Sequence, residues 1–136
     1  MERGRKVNLG QAKNKFRQYR ESAKDRHKSW NLSFEQFVSI CEKPCFYCGS
    51  LPLKGGSNKW AHNGIDRKHN DIGYEPENCL PCCSICNHGK GTKGYERFVA
   101  YLIRVANNRS CLAGMECPEF GAKKEIVAEF ELRIYG

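Results

Sequence analysis

The sequence has no apolar run approaching the roughly 20 residues that a bilayer-spanning helix requires. Its first residues are polar and basic, without the apolar segment of a secretory leader. A membrane partner is therefore not expected, and the chain is read as soluble and cytoplasmic, in a bacterial or phage-infected host cell. Internal repeats and low-complexity tracts are also missing, which removes repeat architectures. Acidic residues are in short supply: 15 Asp and Glu face 23 Lys and Arg, for a net charge of +8. With 136 residues, the chain has room for one domain around a modest core.

What it does have is cysteine, nine in all. In a reducing compartment, cysteines paired at short spacing point to metal before disulfides, and the odd count argues against a fully oxidised framework. A secreted disulfide scaffold is the rival reading. The positive charge is concentrated as well. Between Met1 and Lys28, ten Lys and Arg stand against three acids, a net +7 in this stretch alone. Such a segment is the electrostatic footprint of a polyanion partner, or else a solvated helix that keeps the protein soluble.

Along the chain, residues 1–10 read as an arm, and Gln11 to Arg26 as a helix that leans lightly on the body through Phe16, Tyr19 and Ala23. Arg17, Arg20 and Lys24 are its candidate nucleic-acid contacts. Ser33 and Gln36 form a capping box that starts a second helix, with Phe34, Phe37, Val38 and Cys41 on one face and Pro44 as its stop. Residues 50–62 look like a loop. Asn63 to Lys68 suggests a strand, and Cys79 to Cys82 a returning strand whose pairing Pro81 limits to one side. A short helix should run from near Cys83 through Asn87. A longer one follows, with Tyr95, Phe98, Val99, Leu102, Ile103 and Ala106 as its apolar stripe. The periodicity of Lys123 to Tyr135 is mixed and settles nothing. The expected division is a basic arm and helix over 1–28, a core over 29–110, and an extension of undefined structure over 111–136.

Two Cys-x-x-Cys pairs, Cys45/Cys48 and Cys83/Cys86, are separated by 34 residues. Two intervening residues let one tight turn supply two thiolates at about 2.3 Å from a tetrahedral zinc. Gly49 suits the left-handed backbone that such a knuckle uses. Cys82 competes with Cys83 for a place, but only Cys83 has the right spacing to Cys86. The other cysteines read as small core residues or inert thiols. A second site through Cys111 and Cys117 lacks partners. A closed four-cysteine site leaves no coordination position for water, so any chemistry lies elsewhere.

Around the frame stand Gly64-Ile65-Asp66-Arg67-Lys68-His69-Asn70, Gly73-Tyr74-Glu75-Pro76-Glu77-Asn78-Cys79 and Cys83-Ser84-Ile85-Cys86-Asn87-His88-Gly89-Lys90. With the Leu-Ser-Phe-Glu-Gln-Phe helix start and the Cys-x-Tyr-Cys-Gly knuckle, this series resembles the HNH (ββα-metal) endonucleases, especially small phage-type and restriction-type members, over about residues 30–107. The resemblance implies an α+β fold: a ββα-metal motif stapled by a four-cysteine zinc, with flanking helices and a basic N-terminal helix. It implies hydrolysis of phosphodiester bonds in double-stranded DNA, and it allows a homodimer. It also implies a catalytic Mg²⁺ or Mn²⁺ held by Asp66 and Asn87, an Asn78 that pins the hairpin loop (an ordinary turn asparagine is the plainer reading), and a phosphate contact from Lys90.

Arg67 departs from the family pattern, which often places a histidine after the metal-binding aspartate. A guanidinium is no general base at neutral pH, but its fork can grip a phosphate. The proton acceptor is then sought first at Tyr47, then at His69, on the same face as Arg67 if the strand continues, then at His27 and His62. His88 is expected on the outer helix surface. Asp66→Ala is expected to spare stability, and Cys86→Ser to unfold the domain. Two other functions stay open: a non-catalytic zinc module that binds nucleic acid, and a Cys-x-x-Cys redox protein.

Overall fold

The computed structural model describes residues 8–52 and 59–112. The chain divides into two compact units between Gly91 and Thr92, and each is taken by itself.

In the first unit, helix α1 spans Leu9–Asp25. It begins two residues before the expected start because the Asn8 side chain accepts the Gln11 N–H, satisfying one of the free donors of the first turn. It does far more than lean on the body. Ala12 and Ala23 are fully buried, and the Phe16 ring packs edge-on against Trp30, Phe34 and Phe37 at 5.4–5.5 Å between centroids. Alanines give the helix its close approach, and the aromatics fill what remains. Helix α2, Phe34–Cys41, carries the capping box expected of Ser33 and Gln36, and it buries Phe37 and Cys41 completely. Burying a phenylalanine in this way contributes about 2 kcal/mol.

Strands β1, Gly64–Arg67, and β2, Cys79–Cys82, form an antiparallel pair with Ile65 opposite Pro81 and Asp66 opposite Leu80. Pro81 has no N–H to give. Its carbonyl instead accepts the Phe46 N–H at 2.8 Å, so the knuckle meets β2 along its outer edge. A short 3₁₀ turn, Pro76–Asn78, leads into β2. Between the strands, Tyr74 pairs with Trp30 in a parallel bridge: Tyr74 N–H donates to the Ser29 carbonyl and Asn31 N–H to the Tyr74 carbonyl, both at 2.8 Å. Gly73 has to be glycine here, because a Cβ would lie 2.7 Å from the Ser29 carbonyl oxygen.

Helix α3, Ser84–Lys90, runs one turn beyond the expected end, and Cys83 caps it with its sulfur 3.4 Å from the Cys86 nitrogen. Trp60, 5% exposed, is a core residue: its ring nitrogen donates to Glu42 and its backbone N–H to the Gln11 side chain.

In the second unit, helix α4 spans Tyr95–Leu112. Phe98 is buried and Val99, Leu102 and Ile103 are half-buried, whereas Ala106, the last of the expected stripe, is exposed. Of the arm expected over 1–10, Leu9 and Gly10 belong to α1 and residues 1–7 lie outside the described residues, as do part of the 50–62 loop, the Cys111 side chain, Cys117 and the segment 123–135.

Candidate active site

The knuckle Cys45–Gly49 turns back on itself through Gly49, whose φ is +75°, and Gly49 N–H bonds the Cys45 carbonyl at 2.9 Å. That turn places the Cys45 and Cys48 sulfurs against those of Cys83 and Cys86, all four within 4.8 Å of one another. The Cys48 and Cys83 sulfurs are 3.7 Å apart. This is far beyond a disulfide's ~2.05 Å. It matches the ~3.8 Å edge of a tetrahedron built on metal–sulfur bonds of ~2.3 Å. The set therefore fits zinc. Cys82 is buried and outside the set, its sulfur 3.4 Å from the Cys83 carbonyl.

The four thiols differ in their environments. The Ser50 hydroxyl and backbone N–H stabilise the Cys48 thiolate and lower its pKa to about 6. Burial raises the Cys86 thiol above its ordinary value. A central cation would let all four ionise together.

The frame holds a second cluster in place. Tyr47, between the two knuckle cysteines, donates its hydroxyl to Asp66 Oδ2 at 2.6 Å. Lys90, one helical turn beyond Cys86, places Nζ 3.0 Å from Asp66 Oδ1 and 3.0 Å from the Arg67 carbonyl. Lys90 is fully buried and Asp66 is 6% exposed. Lysine is rarely buried unless paired, and this ammonium is paired with the carboxylate of β1. Lys90 thus has no free cation to present to a phosphate, contrary to expectation. Asn87 is exposed and precedes Lys90 by three residues, on the same side of α3. Asp66 and Asn87 offer the oxygen donors that a hard cation takes, and each Asp66 oxygen keeps a lone pair beyond its hydrogen bond. Carboxylate and amide oxygens are the donors a hard cation takes, and the Asp66 carboxylate already has an ammonium beside it.

Arg67 alternates with Asp66 along the strand and points the other way. Its Nη1 donates to the carbonyls of Asn70 at 2.6 Å and Ile72 at 3.0 Å, and the guanidinium lies over the Tyr74 ring. Through Nη1 it braces the loop. Asn78, 2% exposed, closes the same loop: its Oδ1 accepts the His69 N–H, and its Nδ2 reaches the carbonyls of His69, Ile72 and Gly73 at 3.0–3.3 Å.

Among the described residues, no histidine hydrogen-bonds the Asp66 carboxylate. The strand ends at Arg67, so His69 is not carried along it and is exposed. The ring of His62 stacks on Trp60 at 4.4 Å, and its Nδ1 is 2.9 Å from the Trp60 carbonyl. His27 is an exposed residue just past α1, with a φ of +54°. His88 is exposed on α3, with Nδ1 2.7 Å from the Ser84 carbonyl.

A cleft of about 630 Å³ opens beside the cysteine cluster, lined among others by Lys15, Tyr19, His62, Asn87 and His88. Arg17, Arg20 and Lys24 line a separate depression with Trp30. Lys15, the cation on the cleft that Asn87 shares, was missed in the sequence. Its signal was its position one turn before Tyr19, on the inward stripe of α1. Burial raises the Tyr19 phenol to about 12, so it stays neutral, and its oxygen accepts the Ile65 N–H at 3.2 Å.

No family model matches the chain. Uncharacterized protein R423 of Acanthamoeba polyphaga mimivirus is 32% identical to it over 93 residues, 68% of this chain. The match covers 16% of that protein, so the chain spans only a small part of its relative's length. Among solved structures, the rare-cutting HNH restriction endonuclease PacI superimposes with a TM-score of 0.55 at 16% identity, over 76% of this chain and 82% of that one. The likeness is one of fold: helices, a two-stranded sheet and a cysteine cluster arranged as in an HNH endonuclease.

Proposed function

We propose that this chain is a DNA endonuclease of the HNH type, hydrolysing phosphodiester bonds with a structural zinc and a catalytic Mg²⁺ or Mn²⁺. The observation that carries the reading is the buried Asp66 carboxylate, held on one oxygen by Tyr47 and on the other by Lys90, in a fold shared with an HNH restriction endonuclease. The frame is proposed to hold zinc at Cys45, Cys48, Cys83 and Cys86, where it contributes folding energy and no chemistry. Asp66 and Asn87 would hold the catalytic cation, which when bound supplies charge stabilisation at the scissile phosphate and its leaving oxygen.

The other roles fall to the chain's own groups. Tyr47 is held against the carboxylate by donating to Asp66, and its role in the proposed reaction is to orient the attacking water. Arg67 and Asn78 act one step back, by fixing the loop that ends β1 and so the direction of the Asp66 side chain. The basic residues of α1 and Lys15 would supply affinity for the phosphate backbone that falls as salt rises.

A second reading is favoured by one specific observation: Arg67 stands after Asp66 with its Nη1 bound to the loop, and among the described residues no histidine hydrogen-bonds the Asp66 carboxylate. On that reading the chain is a zinc-stapled nucleic-acid-binding module without activity. Supercoiled plasmid incubated with Mg²⁺ or Mn²⁺ separates the two. The enzyme reading expects nicking by the wild type and none by Asp66→Asn, with zinc content equal in both. Intact DNA throughout, with equal binding by both proteins, would establish the module.

A further inference from the structure

The Lys90 ammonium is the feature that the proposed chemistry leaves over. It is fully buried, yet it spends its charge on Asp66 Oδ1, one of the atoms a catalytic cation would need. Its second contact, the Arg67 carbonyl, belongs to the same strand. Both contacts come from the last residue of α3, where the free carbonyls of the helix end favour a positive charge. A dication on Oδ1 would come within a few Å of this ammonium, and like charges that close in so buried a site repel with little screening, so the two compete for the oxygen.

We propose that Lys90 is a positioning residue which holds the cation's place at Asp66: it neutralises and orients the carboxylate when no divalent ion is bound, and it leaves Oδ1 when one binds. The inference rests on the assignment of Asp66 as a cation ligand and deepens it. The geometry supports exchange at one oxygen only. Oδ2 is held by Tyr47, which is neutral and has no charge to oppose a metal, so the carboxylate keeps one anchor while the other partner changes. The ammonium need not lose all its contacts, since the Arg67 carbonyl is a separate acceptor that Lys90 can retain. The consequence is a site with low affinity for the ion, since each binding event must displace an internal cation.

The test is ion binding itself, measured by titrating Mn²⁺ into zinc-loaded protein and following free Mn²⁺ by electron paramagnetic resonance. Lys90→Met removes the charge and keeps much of the volume. It should bind Mn²⁺ about tenfold or more tightly than wild type, by loss of a nearby like charge, and Lys90→Arg should not. A purely structural role for Lys90 predicts weaker binding in Lys90→Met, because the site would loosen; equal or weaker binding by folded Lys90→Met overturns the proposal. Should that variant fail to fold, the wild type decides. Nζ of a buried, hydrogen-bonded lysine gives a protected ammonium signal in NMR, and saturating Mg²⁺ should shift or erase it. A Lys90 signal unchanged at saturation overturns the proposal equally. Tighter Mn²⁺ binding by Lys90→Met in a chain that cuts no DNA would sink the endonuclease reading and leave the exchange at Asp66 standing.

Discussion

Asp66 and Asn78 are both buried polar residues, and they do opposite kinds of work. Asn78 uses its buried amide to tie one N–H and three carbonyls of the loop together, so its removal takes the acceptor from the His69 N–H and loosens the turn. Asn78→Ala should therefore cost about 3 kcal/mol of stability, measured by denaturant unfolding of the zinc-loaded protein. Asp66 is joined to a buried ammonium, which alters an expectation drawn from the sequence alone. Asp66→Ala should not spare stability, since it leaves Lys90 buried without a counter-charge at a cost of about 3–5 kcal/mol. Asp66→Asn, which can still accept from Lys90, should melt closer to wild type and is the better control for cleavage. If both variants melt together at the wild-type temperature, the buried ion pair is not what the geometry indicates.

Among the elements, α1 carries two faces with separate duties. Arg17, Arg20 and Lys24 share one depression, whereas Lys15 faces the cleft bounded by Asn87. Replacing those three cations with alanine should weaken DNA binding at all sequences alike and flatten the salt dependence by about one log–log unit per lost phosphate contact. Lys15→Ala alone should lower cleavage more than it lowers affinity. Fluorescence anisotropy across a salt series, set beside plasmid nicking rates, checks both. The inner face makes its own demand. A Cβ at Gly64 would stand 2.7 Å from the Tyr19 hydroxyl, so Gly64→Ala should push α1 from the hairpin and lower the melting temperature by several degrees (a loss of about 1–3 kcal/mol).

Over the whole molecule, the four-cysteine frame and the hairpin were legible because each rests on local rules. Cysteine spacing, the Ser33/Gln36 box, Gly49 and the β1 and β2 segments are fixed by residues close together in sequence. What the sequence left hidden is set by distant partners. Nothing near Lys90 tells that its side chain folds inward to Asp66, 24 residues away in the chain. Nothing near Arg67 tells that β1 ends there and turns the guanidinium to the loop. The tight seating of α1 was understated for the same reason, since its stripe looks thin until Trp30 and Phe37 close around Phe16.

Proton competition for the frame has a definite sign. Cys48, lowered to about 6 by its hydrogen bonds with Ser50, stays a thiolate at neutral pH, and that contribution is lost as pH falls through about 6. Zinc retention, read with a colorimetric chelator, should hold from mildly alkaline to neutral conditions and fall below about pH 6. Ser50→Ala should move the release to higher pH.

Tyr47 lies between two of the cysteines and Lys90 follows the last of them by four residues, so the groups that grip Asp66 travel with the metal frame. With zinc in the frame as proposed, a polypeptide that has not yet taken it up, or has lost it, would not assemble those grips. On the proposed function, the site is therefore inert until folding is complete. The frame acts as a licence as well as a staple, withdrawn by the same event that unfolds the chain.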